Sequence, residues 1–276
     1  MRFQGMEHET SSTVERDQIG TWTPLHTVGL LVLTLLASAI PIWRPFSLFQ
    51  DWLVVMALMC GFIVLAGHGI KGVWRGAFID ERNKISLSRL QILLWTILLL
   101  SAYGAIVVSR IPHDPLEALD IAIPSTLWFL MGISTTTMVG APTIRQQKNR
   151  QTTVGTTAMM EHLEFQGVDP SSLRMNGHVV CNHSARDASW SDLFMGEEYS
   201  NTSYLELGKV QLFFFTVLLV VTYGMAVGSI LLSGSVPSAL PDISEGMLPL
   251  LGISHGGYLA NKAVPTSPKM NGAPDA

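Results

Sequence analysis

Two short polar runs interrupt apolar stretches of the chain at places where small hydroxyl groups could act on an ion. Ser134-Thr135-Thr136-Thr137 lies in one stretch and Ser254-His255-Gly256-Gly257 in another. Successive hydroxyl oxygens can replace part of a cation's water shell and so line a hydrated path. Small polar residues also let helices approach closely and hydrogen-bond to each other, their commoner use inside a membrane. The sequence leaves both readings open. His255 is the titratable group deepest in an apolar stretch, and such groups are functional candidates because burying their charge is expensive. A proton relay would ordinarily place an acid at similar depth, and none is there. The expected state of His255 is therefore a neutral imidazole hydrogen-bonded to a neighbouring helix.

Outside the apolar stretches, His178, Cys181 and His183 offer soft-ligand chemistry at close spacing, with His162 as a possible fourth ligand. Lacking a second Cys or His pair, they make a poor zinc site, and no metal is assigned. No Ser-His-Asp order, phosphate-cradling glycine loop or pair of intramembrane carboxylates is present, so neither catalysis nor a cofactor is expected. No nucleic-acid partner is expected either. Cys60 and Cys181 are too few and too differently placed for a disulfide framework.

These residues need elements that hold them at a common depth. With 48% hydrophobic and 14% charged residues, the composition is that of a polytopic membrane protein rather than a soluble domain. About 20 apolar residues cross a bilayer, and six stretches approach that length: 25–43, 52–70, 90–111, 121–141, 210–232 and 247–264. The last is the weakest because it is short and holds His255, Asn261 and Lys262. Residues 87–134 recur as 207–254 at a gap-free offset of 120, with Gln91 matching Gln211, Tyr103 matching Tyr223 and Ser134 matching Ser254. The expected fold is an all-α membrane protein of six transmembrane helices carrying a parallel duplication of a two-helix hairpin. Its parts are a tail (1–24), a leading hairpin (25–74), the first repeat hairpin (75–142), a loop (143–206), the second repeat hairpin (207–264) and a C-terminal tail (265–276). The early residues, acidic and without an early apolar run, do not resemble a signal peptide.

All Lys and Arg except Arg44 and Arg110 fall on one side of this arrangement, which by the positive-inside rule puts both termini in the cytoplasm. The outer loops carry Asp51, Asp114, Glu117, Asp120, Asp242 and Glu245 against those two arginines. Such an acidic rim would concentrate cations, although acids are also simply tolerated where bases are excluded. Gly224 with Gly228, and Gly252 with Gly256, form small-residue faces suited to close helix contact. Ser86 or Ser88 is the expected cap of the third span. The loop carries turn signals at Asp169-Pro170 and Asn176-Gly177 and is expected to fold only in part. Near its end, Trp190-Ser191-Asp192-Leu193-Phe194 precedes Gly196-Glu197-Glu198. This reads either as an amphipathic helix docked on a membrane or partner, with Trp190, Leu193, Phe194, Glu197 and Glu198 as contacts, or as a turn packed onto the spans.

Several stretches resemble uncharacterised bacterial polytopic inner-membrane proteins: Ile79-Asp80-Glu81-Arg82-Asn83, Ser86-Leu87-Ser88-Arg89-Leu90-Gln91 with Trp95-Thr96, Trp190 to Phe194 with Gly196-Glu197-Glu198, and Leu251-Gly252-Ile253-Ser254-His255. The resemblance covers about residues 75–265 and implies a bacterial inner membrane as location, with no activity attached. Two functional expectations follow. One is an oligomeric, channel-like assembly of identical chains passing small cations. The other is a non-conducting membrane anchor that docks a cytoplasmic protein complex through the 143–209 loop.

Overall fold

The computed structural model describes residues 22–43, 47–112, 115–150, 156–244 and 246–267. Among them are seven α-helices: α1 (Pro24–Trp43), α2 (Leu48–Lys71), α3 (Leu87–Arg110), α4 (Ser125–Asn149), α5 (Thr156–Phe165), α6 (Leu207–Leu232) and α7 (Met247–Ala263). Helices α2, α3, α4 and α6 are long and apolar enough to cross a membrane, as an integral membrane protein requires. The apolar described run of α1, Pro24–Ala39, is shorter, and α7 has 17 residues. By length and composition, the expectation of six spans is thus met by four helices, with two further helices at the expected places.

Local chemistry accounts for several of the boundaries. Ser47 and Gln50 form a reciprocal capping box at the start of α2, and Gly72 ends that helix in the left-handed conformation at φ 70°. The turn that follows folds back tightly. A Cβ on Gly76 would lie 2.1 Å from the carbonyl oxygen of Gly67, so main chain packs on main chain there and glycine is required. Helix α4 runs through Pro142 to Asn149, well past the apolar stretch that begins it, despite the backbone donor lost at proline.

Helices α3, α4, α6 and α7 share one core, which includes Trp95, Leu98, Ala102, Leu127, Leu130, Leu219, Tyr223 and Leu251. Helix α2 packs on α3 and contributes Trp52, whose indole N–H donates to Ser101 Oγ at 3.0 Å. Helix α1 packs on α2 and leaves Leu25, Leu31 and Leu35 exposed, as a helix at a lipid boundary would. The starts of α3 and α6 lie at one end of the bundle, called here the basic end, and their last turns meet at the other. There, Ala122 bridges Ala239 in parallel fashion, with hydrogen bonds of 3.0 Å on each side. Tyr103 donates to the Leu119 carbonyl at 3.3 Å and its sequence equivalent Tyr223 donates to the Pro241 carbonyl at 3.1 Å.

The segment between α4 and α6 is more ordered than the sequence suggests. Among its described residues it holds α5, an antiparallel hairpin of β1 (Leu173–Asn176) and β2 (Val179–Asn182), and three short 3-10 turns at Pro170–Ser172, Ala185–Asp187 and Trp190–Leu193. Gly177, at φ 58°, opens the two-residue turn Gly177-His178, one residue later than the pair Asn176-Gly177 signals, because Asn176 is paired with Val179. The hairpin is a small exception to an all-α fold. Met159, Leu163, Val180 and Tyr199 give this module a core of its own. A second cluster, with Ile79, Ile85, Leu193, Leu212 and Tyr258, joins it to the bundle.

Candidate functional site

Polar residues concentrate in two places, the bundle interior and the basic end. In the interior, α4 and α7 pack together and bring Thr137 Oγ1 to 2.6 Å from His255 Nδ1, while Gln91 of α3 lies 2.7 Å from His255 Nε2. All three residues are buried. His255 thus has neutral hydrogen-bonding partners on two neighbouring helices, and among the described residues it makes no ion pair. Gln91 and Gln211 match in sequence but not in place, since Gln211 is exposed. Ser134 and Ser254 are both buried, and neither hydroxyl has a hydrogen-bond partner among the described residues. Leaving a buried hydroxyl unpaired costs about 1–3 kcal/mol, so packing alone does not account for two of them at matching positions.

The remaining hydroxyls of the run point elsewhere. Thr135 and Thr136 are exposed on the outside of α4, and Thr136 bonds back to the Gly132 carbonyl of its own helix at 2.8 Å. The run therefore splits, with Ser134 and Thr137 inward and Thr135 and Thr136 outward, as a helix of 3.6 residues per turn requires. The glycine faces split too. A Cβ on Gly228 would touch Phe49 at 3.2 Å, whereas Gly252 and Gly256 face open space.

At the basic end, charged residues from distant parts of the sequence form one network. Glu197 Oε1 lies 2.6 Å from Lys262, 3.3 Å from Lys209, 3.4 Å from Arg82 and 3.7 Å from Arg145. These four cations come from α7, α6, the turn before α3, and α4. Burial alone would raise the Glu197 pKa, but the charges of Arg82, Lys262, Lys209 and Arg145 outweigh it and hold the carboxyl well below its usual range. Asp80 is shifted the same way: burial opposes, and Arg82 and Arg145 prevail. Arg82 donates to Asp80 through Nε at 2.9 Å and through its amino group at 2.7 Å. Glu198 accepts from Lys148 at 2.6 Å and from the Ser267 N–H at 2.8 Å, which ties down the chain after α7.

The turn at Asp80–Lys84 connects this network to the module. Asn83 takes the left-handed conformation at φ 57°, and Asn182 of β2 donates its side-chain amide to the Asn83 carbonyl at 2.9 Å. The N–H of Asn182 donates to the Arg82 carbonyl, also at 2.9 Å. Asp192 accepts from the Ile85 N–H at 3.2 Å and from the Ser189 N–H at 2.8 Å. The stretches around 79–83, 190–194 and 196–198 thus meet in space.

This arrangement revises the docking surface read from the sequence. Trp190–Leu193 is a single 3-10 turn packed on the bundle, not an amphipathic α-helix. Leu193 and Glu198 are buried, Phe194 stacks edge-on against Phe213 of α6 at 5.1 Å, and Glu197 is only 11% exposed and surrounded by cations. Trp190 alone of the five is exposed, at 53%, with one ring neighbour, Phe78, at 5.8 Å. Ser86 occupies the cap position of α3 but makes no side-chain cap bond.

At the opposite end, Glu117, Asp120 and Asp242 are exposed, and Asp242 accepts a short hydrogen bond from Thr126. Asp114 and Glu245 lie outside the described residues. Arg110 donates to the carbonyls of Asp120 at 2.7 Å and Pro237 at 2.6 Å. No three His, Cys, Asp or Glu side chains converge as a metal site among the described residues. His178 is fully buried against Tyr199, Cys181 is buried in β2, and exposed His183 approaches the Ser171 carbonyl at 3.3 Å.

No family model, curated protein or solved structure matches the chain. The network of Asp80, Arg82, Arg145, Lys148, Lys209 and Lys262 was not legible as a site in the sequence. Its traces there are Glu197 and Glu198, which read as partner contacts, and Lys262, a charge that weakens an otherwise apolar span.

Proposed function

We propose that the protein is a non-conducting, non-enzymatic anchor of a bacterial inner membrane that presents the module between α4 and α6 to a protein partner at the cytoplasmic surface. One observation carries this reading: a single carboxylate, Glu197, draws together cations from three helices and the turn before α3. A segment that only connected two spans would need no such clamp. Removing one partner from a buried ion cluster costs about 3–5 kcal/mol, so the module's placement is strongly specified, as a recognition surface requires. Trp190 is one of its exposed aromatics, beside Phe165 and Tyr204, and tryptophan is among the residue types that most often anchor a protein interface.

The test combines two measurements on the full-length protein. In liposomes it passes no current under any voltage or cation gradient, and a photo-crosslinker at position 190 captures in cells one protein that Trp190→Ala fails to retain. A cation current abolished by Thr136→Val would sink the anchor. That outcome belongs to the second reading, an oligomeric cation path, which is favoured by the outward-facing Thr135 and Thr136 and by the open space at Gly252 and Gly256. In that reading, copies of the chain meet on these faces and the acidic rim draws in the ion.

A further inference from the structure

We propose that the groove between the start of α3 and the end of α4 binds an anionic phospholipid, with its phosphate at the basic end and an acyl chain along the two helices. The groove holds a cavity of about 400 Å³. Arg89, Ile92 and Leu93 form its α3 wall at i, i+3, i+4 spacing, and Met138, Ala141, Pro142 and Arg145 form its α4 wall at i, i+3, i+4, i+7. Each wall is therefore one helix face, apolar toward the bundle middle and cationic toward the basic end. A soluble anion would use only the cationic end and leave Ile92, Leu93 and Met138 wet.

The cationic end has donors in search of an acceptor. Arg145 Nε is buried and has no hydrogen-bond partner, although the amino groups of the same guanidinium are held by Glu81 at 2.8 Å and by Asp80 at 3.5 Å. Arg89 is exposed and makes no ion pair among the described residues. Ser86 stands at the cap of α3 without capping it, so the first-turn N–H groups there lack a side-chain acceptor. Ser86 and Ser88 line the same cavity. A helix N-terminus, an unpaired arginine and an orphaned guanidinium nitrogen together match a phosphate oxygen set. Glu81, the one acid in the lining, is already matched to Arg145. Basic pockets between helices at a cytoplasmic membrane surface are the usual setting for acidic headgroups. The site does not depend on whether the module recruits a partner.

Native mass spectrometry of the full-length protein released from detergent, offered equal phosphatidylglycerol and phosphatidylcholine of the same chain length, reads this out. Phosphatidylglycerol is retained preferentially, and Arg89→Gln lowers that retention roughly fivefold while leaving phosphatidylcholine unchanged. Met138→Trp, which fills the apolar end, also lowers it. Equal retention of the two lipids, or an Arg89→Gln variant that holds phosphatidylglycerol as well as the parent, overturns the proposal. A third arm offers inorganic phosphate: binding of phosphate with no lipid retained would make this a soluble-anion site and overturn the lipid assignment.

Discussion

The two ends of the bundle fasten the same four helices by different means. At the basic end, full charges meet across long sequence separations, with Glu197 joining Arg82, Arg145, Lys209 and Lys262. At the other end, most acceptors are neutral carbonyls: Arg110 holds those of Glu117, Asp120 and Pro237, Tyr103 that of Leu119, and Tyr223 that of Pro241, while the Asp242 carboxylate takes the Thr126 hydroxyl and no cation among the described residues. A carbonyl is present whatever the side chain, so the second end tolerates sequence change. The first depends on one carboxylate being ionised.

The sharpest way to break this contrast is Glu197→Gln, which leaves four cations around a neutral amide. It should destabilise the protein by about 3–5 kcal/mol, measured by denaturant unfolding in detergent micelles; a loss under 1 kcal/mol would show that the network is not the principal clamp. Acid should act on the same end. Because the folded Glu197 and Asp80 carboxyls are held below their unfolded values, their stabilisation is present in full above about pH 4.5 and is lost as pH falls through the folded values. Amide exchange at Asn83 and Asn182 should therefore accelerate below about pH 4 well before exchange around Ala122 and Leu240 does. Simultaneous loss at both ends would mean that they unfold as one unit.

Arg110→Ala removes a charged donor from three carbonyls, those of Glu117, Asp120 and Pro237, and should cost about 1.5–3 kcal/mol, without altering the acid response. Tyr223→Phe and Tyr103→Phe each delete one neutral hydrogen bond and should cost about 0.5–1.5 kcal/mol. Tyr223 should be the larger because its ring is buried beside Trp95. If either tyrosine matched Glu197 in effect, the distinction between the ends would fail. Trp190→Ala should move stability by no more than about 0.5 kcal/mol, because its ring is largely exposed. A larger loss would make it part of the clamp rather than a free recognition residue.

The sequence made some features legible because they depend on local composition. An apolar run of span length forms a helix wherever it lies in a bilayer, since every backbone polar group must be satisfied within the segment. Helices α2, α3, α4 and α6 were readable on that ground. The turn at Gly177 was readable because glycine tolerates positive φ. The hydrogen-bonded state expected for His255 was framed by the absence of an acid at its depth, though not its partners: Gln91 and Thr137 are 164 and 118 residues away.

Some decisions belonged to the tertiary structure alone. Glu197 and Glu198 read as an exposed acidic pair because nothing nearby in sequence neutralises them, yet their cations arrive from residues 82, 145, 148, 209 and 262. Whether a charge is solvated or enclosed depends on which helix ends converge, and that is a property of packing. The same holds for Ser134-Thr135-Thr136-Thr137. Their chemistry is written in the chain, but the rotation of α4 against α7 sends Ser134 and Thr137 inward and leaves Thr135 and Thr136 facing out.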